Sequence, residues 1–339
     1  MRLRPRGPPA PIPMRTRSSW HRSFRIVILA ATLCGASPGS ARAGLDPASI
    51  RETPLGTPVA LRSMLLFDRA SLAAWGVPHP SALAFDGEGA LYILDATSRR
   101  VVKLDADGKF LHSVGGYGDD PASLALPEDL VVDRRESLLV LDRARGALVA
   151  FDRAGSFLAS RPFEDDLVEA SREPGTRLLL DVFGRLSLLL PRERDLVPLD
   201  DRLGRSRAAR FLTPEDGLLE PALVAPLPGG DGWLFDAGAR ALRRFRSSGA
   251  LALAADTASI DLSGLATDRA GYLYAADAAE QRLVVFHPGG GRVLERLLGG
   301  PTAPWNPTAI AWSRADRVAV ADRSRGEVQI LAVDRGAAP

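Results

Sequence analysis

The side chains of this sequence that could bind a metal or transfer a proton are few and widely separated. After residue 43 there are three histidines, His79, His112 and His287, and none of them has the short spacing to another histidine that metal ligands usually show. The chain contains a single asparagine, Asn306, which follows Trp305. Nucleophile elbows and phosphate-binding glycine loops in a strand-loop-helix context are absent from the sequence. The sequence therefore predicts no catalytic residues, no metal site and no bound cofactor.

Aspartate, in contrast, recurs at a regular position. An alternating apolar run ends at Asp95, and after a polar turn a second apolar run leads to a turn at Gly108, which is the pattern of a β-hairpin. The same hairpin pattern returns along the chain, with successive spacings of 47, 48, 46, 41 and 45 residues, and its second strand ends at Asp142, Leu190, Asp236, Asp277 and Asp322.

These aspartates have a structural and a functional interpretation. A carboxylate at the end of a strand can accept hydrogen bonds from the backbone N–H groups of the following turn, whereas a ring of acids could bind cations. Because the residue recurs with the repeat, we favour the structural interpretation for Asp95, Asp142, Asp236, Asp277 and Asp322, the turn caps. The same interpretation applies to the aspartates that precede the first turn of a repeat, Asp86, Asp133, Asp181 and Asp268.

A period of this length, made of short strands separated by turns, is typical of β-propellers and solenoids. Each copy has three or four candidate strands and no convincing helix, and residues 77–339 accommodate six copies. The sequence therefore predicts an all-β fold, a six-bladed β-propeller of four-stranded antiparallel blades.

The ring needs an additional strand to close, because the last copy supplies only three strands before the chain ends. Met64–Gly76 resembles Leu148–Ser160, the segment of the second copy that contains the end of its third strand and its fourth strand. We therefore predict that part of Leu61–Trp75 forms the outer strand of the last blade, beside Glu327–Val333. Residues 44–76 are accordingly assigned as a lead-in with a ring-closing strand, and residues 77–339 as the propeller.

The repeat resembles the NHL family of six-bladed β-propellers. The resemblance rests on a proline, an apolar triplet, an aspartate, a turn glycine, Leu-Tyr-Ile-Leu-Asp and Arg-Val-Val within residues 80–102, and it extends over most of the chain after residue 76. The family often has asparagine three residues after the aspartate, where this chain has Ser98, Arg145, Ala239, Glu280 and Arg325. The resemblance implies a platform that binds a ligand or protein, and an enzyme only in some branches.

Enzymes among six-bladed propellers provide the alternative. Metal-dependent lactonases hold a divalent cation with glutamate, asparagine and aspartate oxygens, and peptidyl-hydroxyglycine lyases use histidine ligands from several blades. One asparagine and the three histidines after residue 43 fit neither set well. We therefore interpret the chain as a binding scaffold for a protein, peptide or glycan, with a lactonase or lyase as the alternative.

The N-terminal segment has the pattern of a Sec signal peptide. A region with seven arginines precedes the apolar run Ile26–Ala36, and Ala41-Arg42-Ala43 fits a cleavage site, which assigns residues 1–43 to the signal. The apolar run is too short for a stable membrane anchor, so the mature chain is expected to be soluble, in the periplasm or outside the cell. A lipoprotein alternative would use Cys34, although Ala31-Thr32-Leu33 is a poor lipobox.

The mature chain is acidic. The full sequence has 43 basic and 41 acidic residues, but eight basic and no acidic residues lie in 1–43, which leaves 35 basic against 41 acidic residues and a net charge of −6. This balance argues against nucleic acid as a partner. A monomer is expected.

Candidate ligand-binding residues follow from position in the repeat. His79 lies where the first strand of a repeat begins, and Trp305 and Asn306 lie in the connection between the last two copies, so we assign these three residues to the channel mouth. The acidic link of residues 161–175 is either a specificity loop or a solvated linker.

Overall fold

The structure is a computed structural model that describes residues 51–52, 59–164, 166–206, 212, 216–246, 251–255, 261–300 and 303–335. Six antiparallel sheets follow one another along the chain, and the first strand of each lies beside the first strand of the next. The first strand of the sixth sheet contacts that of the first sheet, which completes a ring. The predicted six-bladed β-propeller is therefore confirmed. The predicted signal peptide and Cys34 lie outside the described residues.

The sheets are numbered blades 1 to 6, and their strands are given from the innermost outwards. Blade 1 consists of Ala82–Phe85, Leu91–Asp95, Arg100–Leu104 and Phe110–Gly115. Blade 2 consists of Pro127–Val132, Leu138–Asp142, Ala147–Phe151 and Phe157–Pro162. Blade 3 has the described strands Arg177–Leu180, Leu186–Leu190 and Asp195–Pro198, and an isolated bridge joins Leu199 to Arg205.

The second half of the ring has the same order of strands. Blade 4 consists of Pro221–Pro226, Gly232–Asp236, Ala241–Phe245 and Leu251–Ala255. Blade 5 consists of Leu262–Thr267, Leu273–Asp277, Arg282–Phe286, Arg292–Leu297 and the two-residue strand Arg51–Glu52. Blade 6 consists of Pro307–Ser313, Arg317–Asp322, Glu327–Arg335 and Val59–Phe67. Gly299–Gly300 pairs with Ala303–Pro304 between blades 5 and 6.

The hydrophobic core lies between neighbouring blades. The second strand of each blade has a blade on either side, and Leu91–Asp95, for example, is buried at every position. Such strands appear in the sequence as nearly continuous apolar runs because both of their faces are covered. The outer strands alternate more, and Phe157–Pro162 has no buried residue.

The ring closes as predicted, by pairing of an N-terminal strand with the last strand of the chain. Val59–Phe67 runs antiparallel to Glu327–Arg335, with Leu61 opposite Val333 and Phe67 opposite Val328. Of the predicted range Leu61–Trp75, the part that belongs to the strand is Leu61–Phe67, and the strand ends there.

The later part of that range contains the helix Arg69–Ala74 instead. The Asp68 side chain accepts a hydrogen bond from the Ser71 N–H at 2.9 Å, as a helix N-cap does, and Leu72 is completely buried in the core.

The second helix, Leu167–Ala170, lies in the acidic link between blades 2 and 3. Leu167 and Ala170 are buried in an apolar cluster that also contains Leu188 and Leu190, so the link is anchored to the core. Leu190 occupies the position of the missing aspartate and packs in that cluster. Neither of these helices has the length and apolar character needed to cross a membrane, and no other helix in the described ranges does.

Candidate ligand channel

A central channel with a cavity of about 630 Å³ is lined by the first strands of all six blades. Aligning these strands by their hairpins places one aliphatic residue from each blade at the same position, namely Leu83, Leu130, Leu178, Val224, Leu265 and Ile310. The middle of the channel is therefore surrounded by aliphatic side chains, and its volume is within the range of small-ligand sites.

The hydroxyl groups near the start of the first strands are used by the blades themselves. Ser81 Oγ donates to the Leu94 carbonyl at 3.2 Å, and Ser263 Oγ donates to the Ala276 carbonyl at 3.3 Å. Thr308 Oγ1 donates to the Ala321 carbonyl at 3.3 Å. Each hydroxyl ties the first strand to the second, so these residues act as structural links.

Asp129 and Arg177 introduce charge on one side of the channel, next to the aliphatic side chains. Asp129 Oδ1 accepts a hydrogen bond from the Leu130 N–H, and its Oδ2 accepts one from the Leu178 N–H, both at 2.9 Å. The second bond joins blade 2 to blade 3. Burial raises the pKa of the Asp129 carboxyl, and the charge of Arg177 opposes that increase in pKa.

Arg177 is the first residue of its strand and lines the same cavity. Its Nε is buried without a hydrogen-bond partner, and within the described part of the chain its guanidinium forms no ion pair. A buried N–H donor without an acceptor costs free energy, so the group is suited to a ligand oxygen.

The other end of the channel has a second unsatisfied donor. Trp312 Nε1 is buried and has no hydrogen-bond partner among the described residues. Nearby in the lining, Asp268 is fully engaged, because its Oδ2 accepts bonds from the Tyr274 hydroxyl at 3.0 Å and from Arg335 at 2.9 Å.

All five strand-end aspartates accept backbone N–H groups of the segment that leads into the first strand, and Asp95, Asp236, Asp277 and Asp322 also accept N–H groups of the following turn. Asp95 accepts bonds from Thr97 and Ser98 in the following turn, at 2.8 and 3.0 Å, and from His79 at 2.8 Å in the segment that leads into the first strand. Bonds from lead-in N–H groups recur in the other four capped blades. Asp142 accepts those of Ala125 and Leu126, Asp236 those of Leu219 and Glu220, Asp277 that of Asp261, and Asp322 that of Asn306. The sequence indicated the turn but not this second contact, because the lead-in residues vary from blade to blade.

His79, Trp305 and Asn306 lie in such lead-in segments and are not among the residues that line the cavity. His79 and Asn306 each donate their backbone N–H to a cap, Asp95 or Asp322. Trp305 is 4% exposed and packs in the core between blades 5 and 6. The His79 imidazole lies 3.4 Å from the Arg323 carbonyl, next to blade 6.

The other two histidines are far apart in the chain and sit against different blades. His112 lies on the outer strand of blade 1, and both its burial and the nearby charge of Lys103 lower its pKa. His287 packs edge-on against Tyr272, with ring centroids 5.5 Å apart. Within the described ranges, no three histidine, cysteine, aspartate or glutamate side chains lie close enough together to hold a metal.

A buried ion pair, which the sequence did not indicate, lies between blades 1 and 2. Lys103 Nζ is 3.2 Å from Asp86 Oδ2 and 4.8 Å from the centre of the Tyr92 ring, and it donates to the Arg153 carbonyl at 3.3 Å. Burying a charged pair is favourable only when further contacts compensate for the lost hydration, and the ring and the carbonyl are such contacts.

Glu136 extends this cluster from blade 2. Its Oε1 accepts the Gly87 N–H at 3.2 Å, and its Oε2 is buried without a hydrogen-bond partner among the described residues. Burial and the charge of Asp86 raise the pKa of Glu136. The Tyr92 hydroxyl is likewise buried without a hydrogen-bond partner in this part of the structure, and its burial and the charge of Asp86 raise its pKa.

Neither a family model nor a curated protein matches this chain. Solved structures do match it. One is the structure of a catalytically inactive variant of virginiamycin B lyase from Staphylococcus aureus with quinupristin. Its TM-score with this chain is 0.54 at 11% sequence identity, and the match covers 81% of this chain and 99% of the lyase. A gluconolactonase from Xanthomonas campestris has a TM-score of 0.52 at 14% identity, over 85% and 99% of the two chains.

A calcium-binding protein, regucalcin from Agrobacterium tumefaciens, has a TM-score of 0.56 at 15% identity, over 76% and 90% of the two chains. At these identities the likeness shows the fold alone. The chain is a six-bladed β-propeller, with structural neighbours among the lactonase and lyase propellers.

Proposed function

We propose that this protein is an exported binding propeller that holds an apolar peptide segment in its central channel. The observation that carries the proposal is the ring of six aliphatic side chains around a cavity of about 630 Å³. An aliphatic wall favours apolar side chains over the hydroxyl-rich surface of a glycan, because burial of apolar surface contributes roughly 25 cal/mol per Å².

Unsatisfied donors at the two ends of the channel support a peptide in particular. Arg177 Nε–H and Trp312 Nε1–H have no acceptor among the described residues, and a peptide presents carbonyl oxygens at regular intervals. A ligand with aliphatic side chains and backbone acceptors would satisfy both the wall and the donors.

The test is calorimetric titration of the protein from residue 44 with acetyl-Ala-Val-Leu-Val-amide, compared with acetyl-Ser-Thr-Ser-Gly-amide. Val224→Arg would fill the channel with a charged side chain, and Leu158→Arg is the control, because Leu158 is 53% exposed on the outer strand of blade 2. We expect the apolar peptide to bind the intact protein and Leu158→Arg, and Val224→Arg to weaken binding at least tenfold. Equal binding by both variants, each with an unchanged melting curve, would contradict the channel as the site.

The competing function is that of a propeller enzyme. The structural neighbours are a lyase, a gluconolactonase and a calcium-binding protein, and those activities belong to those proteins. A stoichiometric divalent cation in the purified protein, together with lactone hydrolysis, would favour the enzyme over the binding function.

The NHL resemblance and export complete the proposal. The hydrogen bonds that strand-end aspartates accept from the following turn fit the position at which the NHL repeat has its aspartate.

Export rests on the signal pattern of residues 1–43. N-terminal sequencing of the exported protein should give a start near Gly44, whereas a lipid-modified start at Cys34 would identify a lipoprotein.

A further inference from the structure

We propose that Arg177 binds the C-terminal carboxylate of a peptide whose apolar residues occupy the channel. This inference rests on the proposed function and specifies the end of the peptide and its orientation. It is carried by a guanidinium that lines the cavity, has a buried Nε and has no partner within the described part of the chain.

The nearby carboxylate does not neutralise this guanidinium directly. Both oxygens of Asp129 already accept backbone N–H bonds, from Leu130 and from Leu178, and the Asp129 and Arg177 side chains form no ion pair within 4 Å. An unpaired cation beside aliphatic side chains is poorly hydrated. It therefore gains more from an anionic partner than an exposed cation does.

A carboxylate fits this position better than a single carbonyl oxygen. The guanidinium presents its N–H groups as a planar fork that matches the two oxygens of a carboxylate. An apolar peptide that enters the channel with its C-terminus foremost has one carboxylate, followed by side chains that can contact the aliphatic ring.

Trp312 sets the length of the ligand. In the first strands aligned by their hairpin pairing, Arg177 is equivalent to Ala309, three residues before Trp312. At roughly 3.3 Å per residue this corresponds to about 10 Å, the length of about three extended residues. The Trp312 Nε1–H is then placed to donate to a backbone carbonyl near the third residue from the C-terminus.

Two further arginines, Arg269 and Arg314, line the opposite end of the cavity and are exposed to water. Because water already hydrates them, an ion pair with a carboxylate there would contribute little. Arg314→Leu is therefore a matched control for Arg177→Leu, since both changes remove one channel-lining guanidinium and leave a side chain of the same kind.

The experiment compares acetyl-Ala-Val-Leu-Val with a free carboxylate against the same peptide as its amide. We expect the intact protein and Arg314→Leu to bind the acid at least about tenfold more tightly than the amide, the range for a hydrogen bond to a charged group. In Arg177→Leu this preference should disappear while the affinity for the amide is kept. Arg177→Lys should restore part of the preference. Asp129→Asn should increase it, because a like charge near the ligand carboxylate is removed.

Each outcome bears on a different claim. Equal affinity of the intact protein for acid and amide would overturn the role of Arg177, and a preference for the acid that persists in Arg177→Leu would do the same. Both results would leave the proposed function standing. This comparison needs only the intact protein, so it remains decisive if a variant fails to fold. Binding of neither peptide would overturn the proposed function itself. Binding of dodecanoate but of neither peptide would overturn both, because the carboxylate would then belong to a lipid.

Discussion

Asp95→Ala removes an acceptor that holds two segments of blade 1 together. The carboxylate is fully buried and accepts bonds from the N–H groups of His79, Thr97 and Ser98, at 2.8, 2.8 and 3.0 Å. A single turn bond would contribute about 1 kcal/mol, which is the loss that the sequence pattern suggests. The structure gives three bonds in place of one.

The expected loss follows from the donors that remain unpaired. An unsatisfied buried N–H costs about 1–3 kcal/mol, and because these three donors are only partly buried we take the lower value for each. Asp95→Ala should then lower the free energy of unfolding by about 3 kcal/mol. For the 296 residues after residue 43, an unfolding entropy of roughly 2.1 cal/mol/K per residue converts this loss into a decrease of roughly 5 °C in Tm.

Asp95→Asn separates the two contacts. An asparagine can keep Oδ1 towards Thr97 and Ser98, but its amide NH₂ then replaces the oxygen that accepts the His79 N–H. Only the bond to the lead-in segment is lost, so the decrease should be about 1–3 kcal/mol and smaller than that of the alanine variant.

The assay is equilibrium unfolding in urea, followed by tryptophan fluorescence, with Asp105→Ala as the control. Asp105 Oδ1 accepts the N–H groups of Asp107 and Lys109 at 3.0 and 2.8 Å, in a turn that is exposed to solvent. Water can replace that acceptor, so its loss should stay below about 1 kcal/mol. Equal losses for Asp95→Ala and Asp105→Ala would refute the reasoning that burial and the lead-in bond make the cap important.

Two further predictions concern the ends of the ring and the polar cluster. Removal of all residues before Asp68 deletes Val59–Phe67, and with it the buried side chains of Val59, Leu61 and Phe67, whose burial contributes about 1.5–3 kcal/mol each. The free energy of unfolding should therefore fall by more than about 5 kcal/mol. A melting curve equal to that of a protein starting at Arg51 would contradict this. Because the pKa of Glu136 is raised in the folded protein, its ionisation favours the unfolded chain, and stability should fall as the pH rises from the ordinary value of 4.5 through the raised pKa. Glu136→Gln should therefore melt higher than the unmodified protein at pH 8 and lose that advantage towards pH 4, whereas a difference in Tm that does not depend on pH would refute the assignment.

Local and recurring features are the part of this fold that the sequence could predict. Asp95 and its counterparts are visible because a hairpin and its cap occupy a few consecutive residues, and their repetition gives the number of blades. A strand from within Leu61–Trp75 was predicted from a gap in the last repeat, and the structure has it as the last residues of Val59–Phe67, while Arg69–Ala74 in the rest of that range is a helix. The Asp68 side chain caps the helix by accepting the Ser71 N–H, and the similarity to Leu148–Ser160 did not indicate that this segment is helical.

The channel residues could not be predicted in the same way. Trp305 was assigned to the channel mouth because it lies in a connection, yet it is buried between blades, and burial depends on the closed ring. The sequence does contain one signal for Asp129 and Arg177. When the six first strands are aligned on their hairpins, these two charged residues occupy one position, at which the other blades have Ala82, Leu223, Gly264 and Ala309.

The departures from the repeat are concentrated in one part of the ring, and this bears on how a repetitive scaffold acquires a specific site. Blade 3 lacks the strand-end aspartate and has Leu190 in its place, and the helix Leu167–Ala170 packs against that region. Arg177 follows directly after this irregular link, and Asp129 of blade 2 accepts the N–H of the next residue, Leu178. Six identical blades would give a channel with six equivalent walls, which could not distinguish the sides of a ligand. Blade 3 thus combines a charged residue on its first strand with apolar packing in place of the cap, while the other five blades keep their caps. The stability of this propeller and the polarity of its channel therefore depend on different residues, and substitutions at Arg177 and Asp95 should separate them.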